Sequence, residues 1–187
     1  MKNPYIYGFL PLITILLFSL TFGLYAVGEA LQLFRAIGVY SGMREFLSDF
    51  ELRVLLLIVF ALIFFMAFSA LKLLGETIHE LGMLFFSKDN EGAAVSQARG
   101  GYVILFIGAM CSAFAIQSIY ALVGIFVLTV FIYFIYLIYK MSLFMSMSGT
   151  IGLLIFELFM WTLLISLLVY VILKLYNGVL ASLPFAK

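Results

Sequence analysis

Ser69, Lys72, Glu76, His79 and Glu80 stand three or four positions apart in the sequence. On a helix that spacing places them on one polar stripe of an otherwise apolar cylinder. Lys72 and Glu76 are one turn apart and can pair. His79 is the single histidine of the chain, and imidazole is the side chain that takes up and releases a proton near neutral pH. The chemistry this stripe offers is handling of protons or a small cation. The plainer reading is a helix leaving a membrane with its polar face toward water and Lys72 snorkelling to the interface. Glu76-x-x-His79 also matches the repeated unit of di-metal carboxylate bundles. Such a site needs two of these units plus further carboxylates, so no metal site is expected from one histidine.

Glu157 is the second candidate. It stands in the apolar run Ile151–Trp161, where a carboxylate costs a few kcal/mol unless it is paired, hydrated or protonated. Lys72, His79 and Gln117 are its possible partners. It is either a station on an ion path or one half of a buried pair locking two helices. Gln117 is kept as a pathway candidate but reads more simply as turn or inter-helix glue. Tyr133 and Tyr136, with Tyr139 beyond, either line a path or, more simply, form a packed aromatic seam. Ser19-x-x-x-Gly23 is a small-residue pair that allows close helix approach. Cys111 is alone, which excludes a disulfide within the chain, and reads as a small buried hydrophobe.

The elements that must position these residues are membrane spans. From Gly101 to Tyr139 there is no Asp, Glu, Lys, Arg or His. One helix over that run would be roughly 58 Å long, against a ~30 Å hydrocarbon core, so it divides into two spans with a turn at Gln117-Ser118. A re-entrant pair is the other way to fold it. The expected fold is all-α: a polytopic transmembrane bundle of about five spans, with a short interfacial helix after the first. The spans cover about 6–27, 54–74 (extending to 86), 101–116, 119–139 and 149–176, within one integral membrane domain over residues 1–187. Pro11 sits early in span one, where its missing N–H does little harm, and Gly28-Glu29 is its expected end. Ser48-Asp49-Phe50-Glu51 is a capping box opening span two, and Ser87–Gly92 stops it. Asn177-Gly178 is the expected stop of span five. Between Glu29 and Arg53, Leu31, Phe34 and Ile37 at helical spacing suggest an interfacial helix broken at Ser41-Gly42. Lys88–Gly100 is the hydrophilic loop.

Composition agrees. Of 187 residues, 66% are hydrophobic and 10% charged, with net charge +1. That composition belongs to membrane proteins and leaves no basic field for nucleic acid. The chain lacks a His-Glu-x-x-His, a Gly-x-Ser-x-Gly, a phosphate-cradling loop and a nucleotide fingerprint, so neither enzyme activity nor a cofactor is expected. Basic residues divide four against five between the two sides, which sets no orientation. The expected partners are the lipid bilayer and either further copies of the chain or another membrane protein. Two functions compete: an oligomeric channel or transporter for protons or a small cation, and a non-transporting subunit of a larger membrane complex.

Three stretches resemble the YufK family of small bacterial membrane proteins. They are Met1-Lys2-Asn3-Pro4-Tyr5 with Gly8-Phe9-Leu10-Pro11-Leu12, the run from Phe68-Ser69-Ala70-Leu71-Lys72 to Phe85-Phe86-Ser87-Lys88-Asp89, and the tail from Lys174 to Pro184. The resemblance spans the whole chain and implies a bacterial plasma-membrane location. It implies no activity and no site residue.

Overall fold

The computed structural model describes residues 8–87 and 98–182, with side chains up to residue 178. The N-terminal Met1-Lys2-Asn3-Pro4, most of the hydrophilic loop (88–97) and the end of the tail (183–187) lie outside the described residues.

Helix α1, Leu10–Ala36, carries Pro11 in its first turn, where the ring is preset for the helix. It does not end at Gly28-Glu29 as expected. It runs on for two more turns, because Leu31 packs under α3 and holds them in register. The chain turns instead at Gly38, whose φ of 76° belongs to the left-handed region that glycine enters freely. Helix α2, Val39–Phe46, follows without a break at Ser41-Gly42 and buries none of its residues. This is the short helix expected after span one, shifted toward the C-terminus. Tyr40 ties it down, donating to Asp49 at 2.5 Å and lying under the Arg35 guanidinium.

Helix α3, Asp49–Phe86, opens with the expected capping box. The Ser48 N–H donates to Glu51 Oε2 at 2.8 Å, and the Glu51 N–H donates to Ser48 Oγ at 3.3 Å. Its apolar run contains no proline and Gly75 does not interrupt it, so it continues for about 57 Å. After a short 3-10 turn at Arg99–Gly101 comes α4, Tyr102–Ser112, extended by a second 3-10 turn at Ala113–Ala115. The chain reverses at Gln117-Ser118, as expected, and Ser118 caps α5, Ile119–Ser142. Helix α6, Met147–Ser182, passes straight through Asn177-Gly178. Among the described residues nothing packs there to force the expected stop, and a single glycine costs a helix only ~1 kcal/mol.

Helices α1, α3, α5 and α6 are long and apolar enough to cross a membrane, whereas Arg99–Ala115 is a shorter apolar helix. With its 3-10 ends that segment reaches about 28 Å, close to the hydrocarbon thickness. The protein is a helical membrane bundle.

In lipid, helices associate through close packing and hydrogen bonds, because burial against hydrocarbon gains nothing. Four contacts supply this here. Antiparallel α1 and α3 meet where Ser19 is buried and a Cβ on Gly23 would lie 3.2 Å from the Ala61 nitrogen. Helices α4 and α5 meet where a Cβ on Gly108 would overlap the Thr129 side chain. Phe18, Phe22, Phe64, Phe68 and Phe126 interlock at the centre. Phe18 meets Phe126 edge-on at 5.2 Å, and Phe22 meets Phe68 at 5.3 Å. Each such ring pair contributes about 0.5–1.5 kcal/mol beyond its buried area. Thr21 and Ser112 add a buried hydroxyl pair at 3.0 Å between α1 and α4. Cys111 is exposed: α4 packs through Gly108, Ala109 and Ser112, and Cys111 falls on the other side of the helix, not in the core as expected.

Candidate functional site

The polar stripe of α3 divides in two. Lys72 and Glu76 turn toward α1 and α4. Lys72 Nζ donates to Glu76 Oε2 at 2.6 Å, and the Tyr102 hydroxyl donates to Glu76 Oε1 at 2.9 Å. About a third of each of the Lys72 and Glu76 side chains is exposed. They line an open cleft of about 570 Å³ with Ser69, Arg99 and Tyr102.

His79 lies on the adjoining face and points at α5 and α6. Its Nδ1 meets Glu157 Oε1 and its Nε2 meets the Met141 sulfur. Only 2% of Glu157 and 7% of His79 are exposed, and Leu153 and Met141 seal the surroundings. Gly82 makes the approach of α6 possible, since a Cβ there would occupy the place of the Leu153 side chain. The carboxylate and the imidazole lie against each other as one buried pair, which is how an acid inside an apolar helix escapes the cost of an isolated buried charge.

Tyr133 joins the two halves. It stacks on Tyr102 at 6.2 Å between ring centres, packs against the cluster containing Met141 and Leu153, and lies within electrostatic reach of both Glu76 and Glu157. Tyr136 and Tyr139 sit beneath the Lys140 ammonium, at 5.7 and 6.0 Å.

Of the partners foreseen for Glu157, His79 is the one it has. Lys72 is engaged by Glu76. Gln117 is exposed in the turn between α4 and α5, and Glu80 is exposed on the outside of α3. Glu76 and His79 therefore do not converge as a metal-binding unit would require. The described cleft stops at Lys72, Glu76 and Tyr102 and is not lined by Glu157.

One feature went unread in the sequence. From Ile165 to Gly178 every residue of α6 is exposed. Along this half run Thr162, Ser166, Tyr170 and Lys174, each four residues after the last. Thr162 satisfies itself by donating to the Leu158 carbonyl at 2.7 Å. The four-residue spacing was the available signal; it was hidden because each residue alone looks unremarkable in a span.

Comparison with known proteins agrees with the membrane fold. Residues 27–184 match the model of a family of unknown function, DUF5366. The chain is 35% identical over 184 residues to "Uncharacterized membrane protein YufK" of Bacillus subtilis (strain 168), an alignment covering 98% of this chain and 100% of that one. No solved structure matches.

Proposed function

We propose that this chain, which belongs to the DUF5366 family, is a non-transporting subunit of a bacterial plasma-membrane assembly, docking through α6. The observation that carries this reading is the sealed His79–Glu157 pair. An intramembrane acid on an ion path needs water or a cavity at its carboxylate. Glu157 instead has an imidazole on it and is almost fully buried. The pair acts as a clamp fixing the start of α6 to the end of α3. Beyond Trp161 the helix leaves the bundle and displays hydroxyls at four-residue spacing on an apolar surface. In lipid such groups find their best partners on another helix.

The docking test is site-specific photo-crosslinking in cells. A photoreactive residue at Ser166 or Tyr170 forms a protein adduct, whereas one at Leu62, equally outward-facing on α3, does not. The adduct's mass says whether the partner is a second copy or a different chain. Lipid adducts alone at all three positions would remove the support for docking through α6.

A further inference from the structure

The cleft between the start of α1, the middle of α3 and the start of α4 holds two cations and one carboxylate. The carboxylate is fully engaged: one oxygen of Glu76 is on Lys72 and the other on Tyr102. Arg99 lines the same cleft, is exposed, and has no hydrogen bond or carboxylate partner among the described residues. Lys72 and Glu76 offset each other, so the net positive charge of the cleft is that of the Arg99 guanidinium. Its walls are apolar, with Leu12, Ile15 and Leu73 contributing. They belong to α1 and α3, both long enough to cross a membrane.

We propose that this cleft binds the phosphate of an anionic phospholipid. The Arg99 guanidinium offers two parallel N–H groups to the phosphodiester oxygens, the geometry in which arginine binds phosphate most strongly. The Ser69 hydroxyl and the Lys72 ammonium, which retains unused N–H groups beside Glu76, complete the polar end. The acyl chains lie along Leu12, Ile15 and Leu73. Soluble phosphate shares the headgroup chemistry, but it would leave those walls idle. A volume of about 570 Å³ falls within the range of small-molecule sites.

The test reconstitutes the full chain in vesicles of equal phosphatidylglycerol and phosphatidylcholine, extracts it in mild detergent and counts retained lipids by native mass spectrometry. Phosphatidylglycerol is expected in clear excess. Arg99→Gln should retain about tenfold less, the size of one charge-assisted hydrogen bond lost. Arg99→Lys should fall between, and Arg44→Gln, on exposed α2, should match the wild type. Thermal unfolding with inorganic phosphate in place of lipid separates the two sources. Stabilisation by millimolar phosphate that disappears in Arg99→Gln, with no lipid preference, assigns the cleft to a soluble anion and overturns the proposal. Equal retention of the two lipids, or unchanged retention in Arg99→Gln, overturns it as well.

Discussion

Replacing Glu157 by Leu leaves His79 facing hydrocarbon with a ring nitrogen unpaired, while replacing His79 by Leu strands a buried carboxyl. Breaking one side of a buried, hydrogen-bonded pair costs about 3–5 kcal/mol, whereas replacing both partners by apolar side chains of similar size is nearly neutral. Each single variant should therefore lose about 3 kcal/mol. The double variant should lose less than ~2 kcal/mol, a coupling of about 4 kcal/mol. An ordinary inter-helix hydrogen bond in a membrane protein couples by only ~0.6 kcal/mol, with a ceiling near 1.7. The size of the coupling thus tells a clamp from an incidental contact. The protein carries its own reporter. Trp161 is its single tryptophan and packs on α3, one turn beyond Glu157, where a Cβ on Gly75 would lie 3.4 Å from the indole. Its fluorescence during unfolding in mixed detergent micelles follows the separation of α6 from α3. Additive single-variant losses, or single losses within ~0.5 kcal/mol of zero, would refute the clamp.

Three further outcomes are expected. Gly108→Ala pushes a methyl into the Thr129 side chain and should destabilise by about 1–3 kcal/mol; a Thr129→Ala change in the same chain should restore part of the loss, which unfolding midpoints will show. Ser48→Ala removes the cap on α3 and should cost about 0.5–2 kcal/mol, with earlier hydrogen exchange confined to the first turn of that helix. Phe68→Ala opens the phenylalanine cluster shared by α1, α3 and α5 and should cost about 3 kcal/mol, whereas Phe114→Ala, 93% exposed, should change stability by less than ~0.5 kcal/mol; equal effects would argue against the cluster as the centre of the bundle.

The parts of the fold written in local chemistry were legible in the sequence. The capping box at Ser48–Glu51, the reversal at Gln117-Ser118 and the uninterrupted run of α3 each depend on a few neighbouring residues. Helix ends set by tertiary contact were not. Leu31 holds α1 past Gly28-Glu29, and α6 ignores Asn177-Gly178 because no other described element meets it there. The site was half legible. Helical spacing put Lys72 against Glu76, and the cost of a carboxylate inside a span made His79 one of three possible partners for Glu157, beside Lys72 and Gln117. The spacing also drew one stripe where the structure has two faces: α4 and α6 approach α3 from different sides, and the lower half takes Tyr102 while the upper takes Met141. Periodicity along one helix cannot say which neighbour stands on which side. Arg99, unpaired among the described residues, was missed for the same reason, since its place beside Lys72 in the cleft exists only once α4 has packed beside α3.

Whether Glu157 conducts decides between a clamp and an ion path. Purified protein in sealed proteoliposomes, with a pH-sensitive dye inside and imposed proton, sodium and potassium gradients, gives the most direct answer. Rates equal to those of protein-free vesicles, unchanged by Glu157→Gln, are the predicted result. A flux above that level that disappears in Glu157→Gln would contradict the reading of Glu157 as a sealed clamp.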